Sequence, residues 1–150
     1  MVLYIPASYP TMIPLEKQVV NLELSKRLKK LGVRQESHFY WMKPEGSPLI
    51  GVSIYARQDG YVLTEASFPD TWEYVSAFTV AELGEMLPIE IEGGEKGRGI
   101  SSDLLNIKKG NFSKGLQWQV MYYDVKFFNA DTEADCRAKM LIYLVENKLV

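Results

Sequence analysis

The sequence predicts an α+β fold: an antiparallel sheet of about five strands packed by about three helices, two-layer or sandwich-like. Three observations carry this expectation. Ala130 to Val150 combines a capping residue, charges that suit the helix dipole and a helical apolar period. Two shorter segments, near residues 22–31 and 80–87, each join a cap to an apolar face. Between the helices lie short apolar runs, and Asp59-Gly60 is the strongest hairpin turn in the chain.

In chain order, Pro6, Pro10 and Pro14 make residues 1–14 an irregular arm, with Val2 to Ile5 a short extended piece. Its Tyr4, Tyr9, Met12 and Ile13 are expected to pack on the domain or on a neighbour. Asn21 is the N-cap of a first helix from about Leu22 to Leu31, and Leu15 to Val20 is a candidate upstream extension. Leu24, Leu28 and Leu31 mark its apolar face, and Gly32 suits the left-handed position after it, with Val33 packing back. Ser37 to Lys43 is aromatic-rich and is expected to be a strand, as is Leu49 to Arg57 with Ile50, Val52 and Ile54 on one face.

After the turn, Tyr61 to Thr64 is a strand, Glu65 to Thr71 a loop, and Trp72 to Phe78 a strand that runs into a cap at Thr79. Glu82 completes a capping box for a short helix, Val80 to Leu87, which Pro88 ends. Ile89 to Ile91 reads as a short edge strand, residues 93–99 as a connection, Leu104 to Lys108 as a strand and Gly110-Asn111 as a turn. Leu116 to Phe128 is strand-rich, as one strand or as a hairpin turning near Asp124; Trp118, Val120 and Tyr122 alternate there with Gln117 and Gln119. In the last helix Thr132 is the N-cap, and Asp135 sits where a side chain can reach back to the cap amide. Ala134, Ala138, Leu141, Val145 and Leu149 form one face, widened by Ile142 and Leu144.

Composition bounds the function. The 150 residues suit a single domain, 1–150, and 47% hydrophobic with 24% charged residues is ordinary globular usage. A net charge of −2 gives no whole-chain attraction to nucleic acid or anionic membrane. No segment approaches the ~20 apolar residues of a bilayer span, and the N-terminal stretch lacks the basic start of a secretory signal. A single cysteine, Cys136, forms no internal disulfide and suits a reducing cytoplasm.

Chemistry-bearing motifs are sparse. His38 is the sole histidine, and no nucleophile motif accompanies it. One His and one Cys do not make a zinc site, and GGEKGRG at residues 93–99 lacks the residue order of a phosphate loop, so neither a metal nor a cofactor is implied. Cys136 lies near a helix start whose acidic residues oppose a thiolate, which favours a packing role. Residues 28–33 have the spacing of a helix-turn-helix centre. Leu28 stands where such motifs favour a small residue, His38 where they favour an apolar one, and the aromatic run 39–41 prefers strand. The basic run Lys26, Arg27, Lys29 and Lys30, followed by His38 and Tyr40, is the candidate interaction surface.

The segments AFTVAELGEMLP (residues 77–88) and ADTEADCRAKMLIYL (residues 130–144), with Gln35, Phe39, Tyr40 and Trp41 and the leucines of the first helix, together resemble a group of small phage and prophage proteins of gut bacteria. Cys136 stands where that group has Ala, another small residue. The end of the chain is also similar, more distantly, to phage α/β sandwich domains. The resemblance implies an accessory protein of a mobile element and brings no catalytic residues.

The expected function is therefore protein binding without catalysis, in the cytoplasm of a bacterial host, with another protein or a second copy as partner. Nine Tyr, six Phe and three Trp are more aromatic surface than a small core readily hides. The alternative is a nucleic-acid-associated regulator using the basic helix 22–31. A third possibility, an enzyme with a pocket around His38 and Tyr40, requires a concave site there.

Overall fold

A computed structural model describes residues 12–46, 49, 51–65, 71–91, 103–123 and 125–150. Most of the expected N-terminal arm, the 93–99 connection, Ile50 and Asp124 lie outside them. The described chain contains three α-helices, α1 (Leu22–Lys30), α2 (Val80–Met86) and α3 (Glu133–Glu146). Its eight strands are β1 (Tyr40–Lys43), β2 (Ala56–Gln58), β3 (Tyr61–Thr64), β4 (Glu73–Ser76), β5 (Glu90–Ile91), β6 (Asp103–Phe112), β7 (Gly115–Tyr122) and β8 (Lys126–Ala130). The fold is α+β as expected, but the strands form two four-stranded antiparallel sheets instead of one of about five: β2-β3-β1-β4 and β5-β6-β7-β8.

Local chemistry explains most of the boundaries. Asn21 caps α1 by accepting from the Leu24 amide (3.0 Å). Gly32, at φ 84°, closes the helix in a Schellman motif, with Val33 N–H bonded to Leu28 O and Gly32 N–H to Lys29 O. Leu15 to Val20 does not extend α1. Leu15–Lys17 is a 3₁₀ turn, and Val19 bridges Thr79 while the Val20 amide donates to Phe78 O. These two β-branched residues are fully buried in two different apolar clusters, which holds the backbone extended.

Of the aromatic segment 37–43, Tyr40–Lys43 forms the strand; Ser37 Oγ bonds locally to Phe39 O, which also accepts from the Ala77 amide. The strand expected over 49–57 shortens to Ala56–Gln58; Gly51, at φ 74°, turns the chain before it. Asp59 and Gly60 have φ 49° and 80°, the type I′ hairpin the sequence announced.

Thr79 and Glu82 complete their capping box. Gly110-Asn111 is not a turn but the continuation of β6. The hairpin closes instead at Ser113-Lys114, with Gly115 at φ 95° in the left-handed position. The 116–128 segment is a hairpin, its strands β7 and β8 paired from Trp118↔Ala130 to Tyr122↔Lys126.

Two cores result. Trp41, Leu63, Val75 and Ala77 of the first sheet pack with Val19 and Leu22, and the buried Trp41 indole donates to Val20 O (2.9 Å). The second core is built on α3. Ala134, Ala138, Leu141, Ile142 and Leu144 of its expected face are buried and Val145 and Leu149 half-buried, and Cys136 and Met140 on the other side are buried too. A helix buried around most of its circumference must be flanked on both sides. The second sheet lies on one flank and α1 and α2 on the others, with Leu28, Leu83 and Val120 in the same cluster. Thr132 caps α3, but Asp135 does not reach back to the cap amide. Its carboxylate accepts from the backbone amide of Asn21 (2.8 Å), so the starts of α1 and α3 are tied together.

Candidate functional site

The basic surface anticipated on α1 is partly drawn into the protein. Arg27 donates through Nε (3.1 Å) and Nη2 (2.5 Å) to Glu146 on α3. Lys29 Nζ donates to the Tyr74 carbonyl (2.6 Å) and lies 4.9 Å from the Tyr74 ring centroid. Lys26 Nζ stands 4.3 Å over the Tyr61 ring, while Lys30 is exposed. Tyr40 packs edge-on against Tyr74 (5.7 Å) and its hydroxyl accepts from the Ser37 amide. Tyr74 therefore joins Tyr40 to Lys29. His38 is apart from this group: its side chain is exposed, and its backbone amide donates to Glu82 Oε1 on α2. No second helix of a helix-turn-helix follows α1, since residues 33–39 are irregular and β1 comes next.

Three residues that the sequence reading did not select belong to the same surface. Antiparallel register puts Lys43 of β1 opposite Glu73 of β4, and Tyr61 of β3 donates its hydroxyl to the Glu73 carboxylate. Burial, then the Glu73 bond, pushes the Tyr61 phenol up to about 12. The Tyr61 bond holds the Glu73 carboxyl below its ordinary range, helped by Lys43, Lys26 and Lys29.

A large concavity lies elsewhere. A cleft of about 1060 Å³ opens between the 3₁₀ turn, Phe39, the first half of α2, the far end of the second sheet and the first turns of α3. Its apolar wall includes Leu15, Phe39, Val80 and Trp118. Trp118 shares a strand face with the buried Val120 and packs against the same core, half-buried, with Lys109 Nζ 5.6 Å from its ring. Also in the lining, Arg137 donates through Nε (3.0 Å) and Nη2 (2.6 Å) to Glu133 one helical turn earlier. That ion pair is sheltered, with side-chain exposures of 16% and 21%. α2 approaches it at Gly84, where a Cβ would stand 3.1 Å from Arg137 Nη1.

Several polar groups of the cleft are engaged within the chain. Its two threonine hydroxyls, Thr79 and Thr132, are engaged as helix caps, and Asp131 accepts from Gln117 Nε2 (3.0 Å). Apolar walls with a few placed charges are the usual make-up of a binding cleft. His38 and Tyr40 do not line it. Cys136, one turn into α3, faces away from it: Sγ lies 3.0 Å from Phe128 O and 3.3 Å from Trp118 O, and burial pushes the thiol up to about 11. Neither the described helices nor the described acidic, His and Cys residues supply a membrane span or a metal-binding group of three.

A third surface feature lies on the face of the second sheet turned away from α3. Leu104, Tyr123 and Phe127 are 59%, 66% and 58% exposed there, with Met121 opposite Phe127 in register. No family model, curated protein or solved structure matches the chain.

Proposed function

We propose that the chain is a phage- or prophage-derived accessory protein that acts in the host cytoplasm by binding another protein, without catalysis. The observation that carries the binding reading is the cleft, whose apolar wall of Leu15, Phe39 and Trp118 shares the lining with the Arg137–Glu133 pair. Such a wall takes up apolar side chains of a partner segment, and the charges fix its direction. The phage attribution is supported by the motifs at residues 77–88 and 130–144 alone. The partner is a different protein or a second copy; the exposed Leu104, Tyr123 and Phe127 favour self-association.

Panning a random-peptide library on the purified protein tests the reading. Ala81 is exposed at the rim of the cleft on α2, so Ala81→Trp fills the space without disturbing the core. Peptides with large apolar anchors are expected to bind the parent protein and to lose binding to the filled variant. Recovery of no such peptides, or equal binding to both proteins, contradicts the reading.

The nucleic-acid reading through residues 22–31 is the alternative. Lys26 and Lys30 are exposed and support it, but Arg27 and Lys29 are engaged by Glu146 and by the Tyr74 carbonyl. A salt-sensitive shift of a DNA duplex at low ionic strength would favour it.

A further inference from the structure

Beyond the cleft, one charged surface is built rather than merely exposed. Tyr61, Lys43 and Glu73 lie side by side on neighbouring strands β3, β1 and β4, at the end of the first sheet that α1 crosses. From α1, Lys26 is set over the Tyr61 ring and Lys29 over the Tyr74 ring, with Lys29 also bonded to the Tyr74 carbonyl. Lys30 follows Lys26 by one helical turn. Lys43, Lys26 and Lys29 therefore act together on one carboxylate, Glu73, which already accepts from the Tyr61 hydroxyl, and Lys30 adds a fourth ammonium group on the same helix. The one acidic side chain of α1 itself is Glu23, a turn before Lys26. The local balance is an excess of positive charge on a chain whose net charge is −2.

We propose that this lysine surface of α1 and β1 docks an acidic segment of a protein partner. Aromatic rings hold Lys26 and Lys29 in place before binding, which reduces the side-chain ordering that association requires. The lysines deliver point charges from a compact area, which suits a run of carboxylates whose spacing can adapt to them. A nucleic-acid strand would also want exposed rings on which to stack. Here the Tyr61 ring is buried and Tyr40 and Tyr74 are packed edge to face. The inference rests on the protein-binding reading of the chain but uses a surface separate from the cleft, so the two fail separately.

Fluorescence anisotropy with a labelled oligoglutamate peptide is the test. The peptide is expected to bind the full chain at about 50 mM salt and to weaken at least tenfold by about 200 mM. Lys26→Glu with Lys43→Glu should abolish binding, and the milder Lys26→Ala with Lys43→Ala should weaken it, while Ala81→Trp leaves it unchanged. Absence of binding at low salt, or equal binding by the alanine variant, overturns the proposal. So does tighter binding of a single-stranded oligonucleotide of equal charge, which would assign the surface to nucleic acid. If oligoglutamate binding fails but peptides still occupy the cleft, only the acidic-segment inference falls.

Discussion

Replacing Asp135 by Ala removes the carboxylate that receives the Asn21 amide at 2.8 Å, across 114 residues of sequence. That amide belongs to the residue that caps α1, and the bond is partly buried. A hydrogen bond to a charged group contributes about 1.5–3 kcal/mol. Loss of a negative charge in the first turn of α3 adds about 0.3–1 kcal/mol, and the better helix propensity of Ala returns about 0.5 kcal/mol. The expected net cost is about 1.3–3.5 kcal/mol, or a fall of roughly 3–14 °C in the melting midpoint of a domain this size. Asp135→Asn keeps a neutral acceptor and should lose about half as much. Urea unfolding gives the free energies, and native-state hydrogen exchange should show the α1 amides losing protection first. A cost below about 0.5 kcal/mol, with protection at Asn21 unchanged, would refute the idea that this carboxylate ties the two helix starts together.

Three further predictions follow from particular contacts. Burial raises the Tyr122 phenol from 10.0 to about 12, Tyr61 to about 12 and the Cys136 thiol from 9.0 to about 11. Each group ionises first in the unfolded chain, so its contribution is complete below the unfolded value and lost as pH rises through the folded one. Stability should therefore be independent of these groups below pH 9 and fall between pH 9 and 12, by roughly 3 kcal/mol for Tyr122 alone; flat chemical-denaturation free energies across that range would contradict it. Lys148 has φ 55° at the left-handed position that ends α3, where Leu149 N–H bonds to Leu144 O. Lys148→Gly should stabilise by about 0.5–1 kcal/mol, read by urea unfolding, and a loss would contradict the strain assigned there. Phe127→Glu, on the uncovered face of the second sheet, should reduce self-association measured by sedimentation while leaving the melting midpoint within about 2 °C.

What was legible in the sequence was local. Asn21, Thr79 with Glu82, Thr132, Gly32 and Asp59-Gly60 each act within a few residues, and each does what its chemistry implies. Partition of the strands into two sheets was not legible, because it depends on which strand meets which across long separations. The misplaced turn at Gly110-Asn111 has a local cause: the ladder gains two more pairs, Asn111↔Leu116 and Phe112↔Gly115, and Gly115 supplies the left-handed residue. The helical period of α3 supplies one apolar face, enough for a helix on a sheet, and Cys136 and Met140 lie off it. They are buried because a second layer covers the opposite side.

The candidate sites divide in the same way. The four-residue spacing of Glu133 and Arg137 was visible in the sequence, but nothing local places Phe39 and Leu15 across from them. Lys26 and Lys29 stood out as charges. Their partners Tyr61, Glu73 and Tyr74 arrive only through pairing of β1 with β3 and β4. His38 and Tyr40 followed the basic run in sequence, yet β1 carries Tyr40 to Tyr74 while His38 stays beside α2.

Photo-crosslinking from position 81 in cells probes the cleft itself, because that side chain stands at its rim. With a benzophenone amino acid in place of Ala81, a discrete protein adduct is expected, either a second copy or one other protein, that disappears when unlabelled protein competes and persists when Ala81→Trp protein does. Absence of a discrete adduct, or equal competition by the filled variant, would contradict a protein-binding cleft.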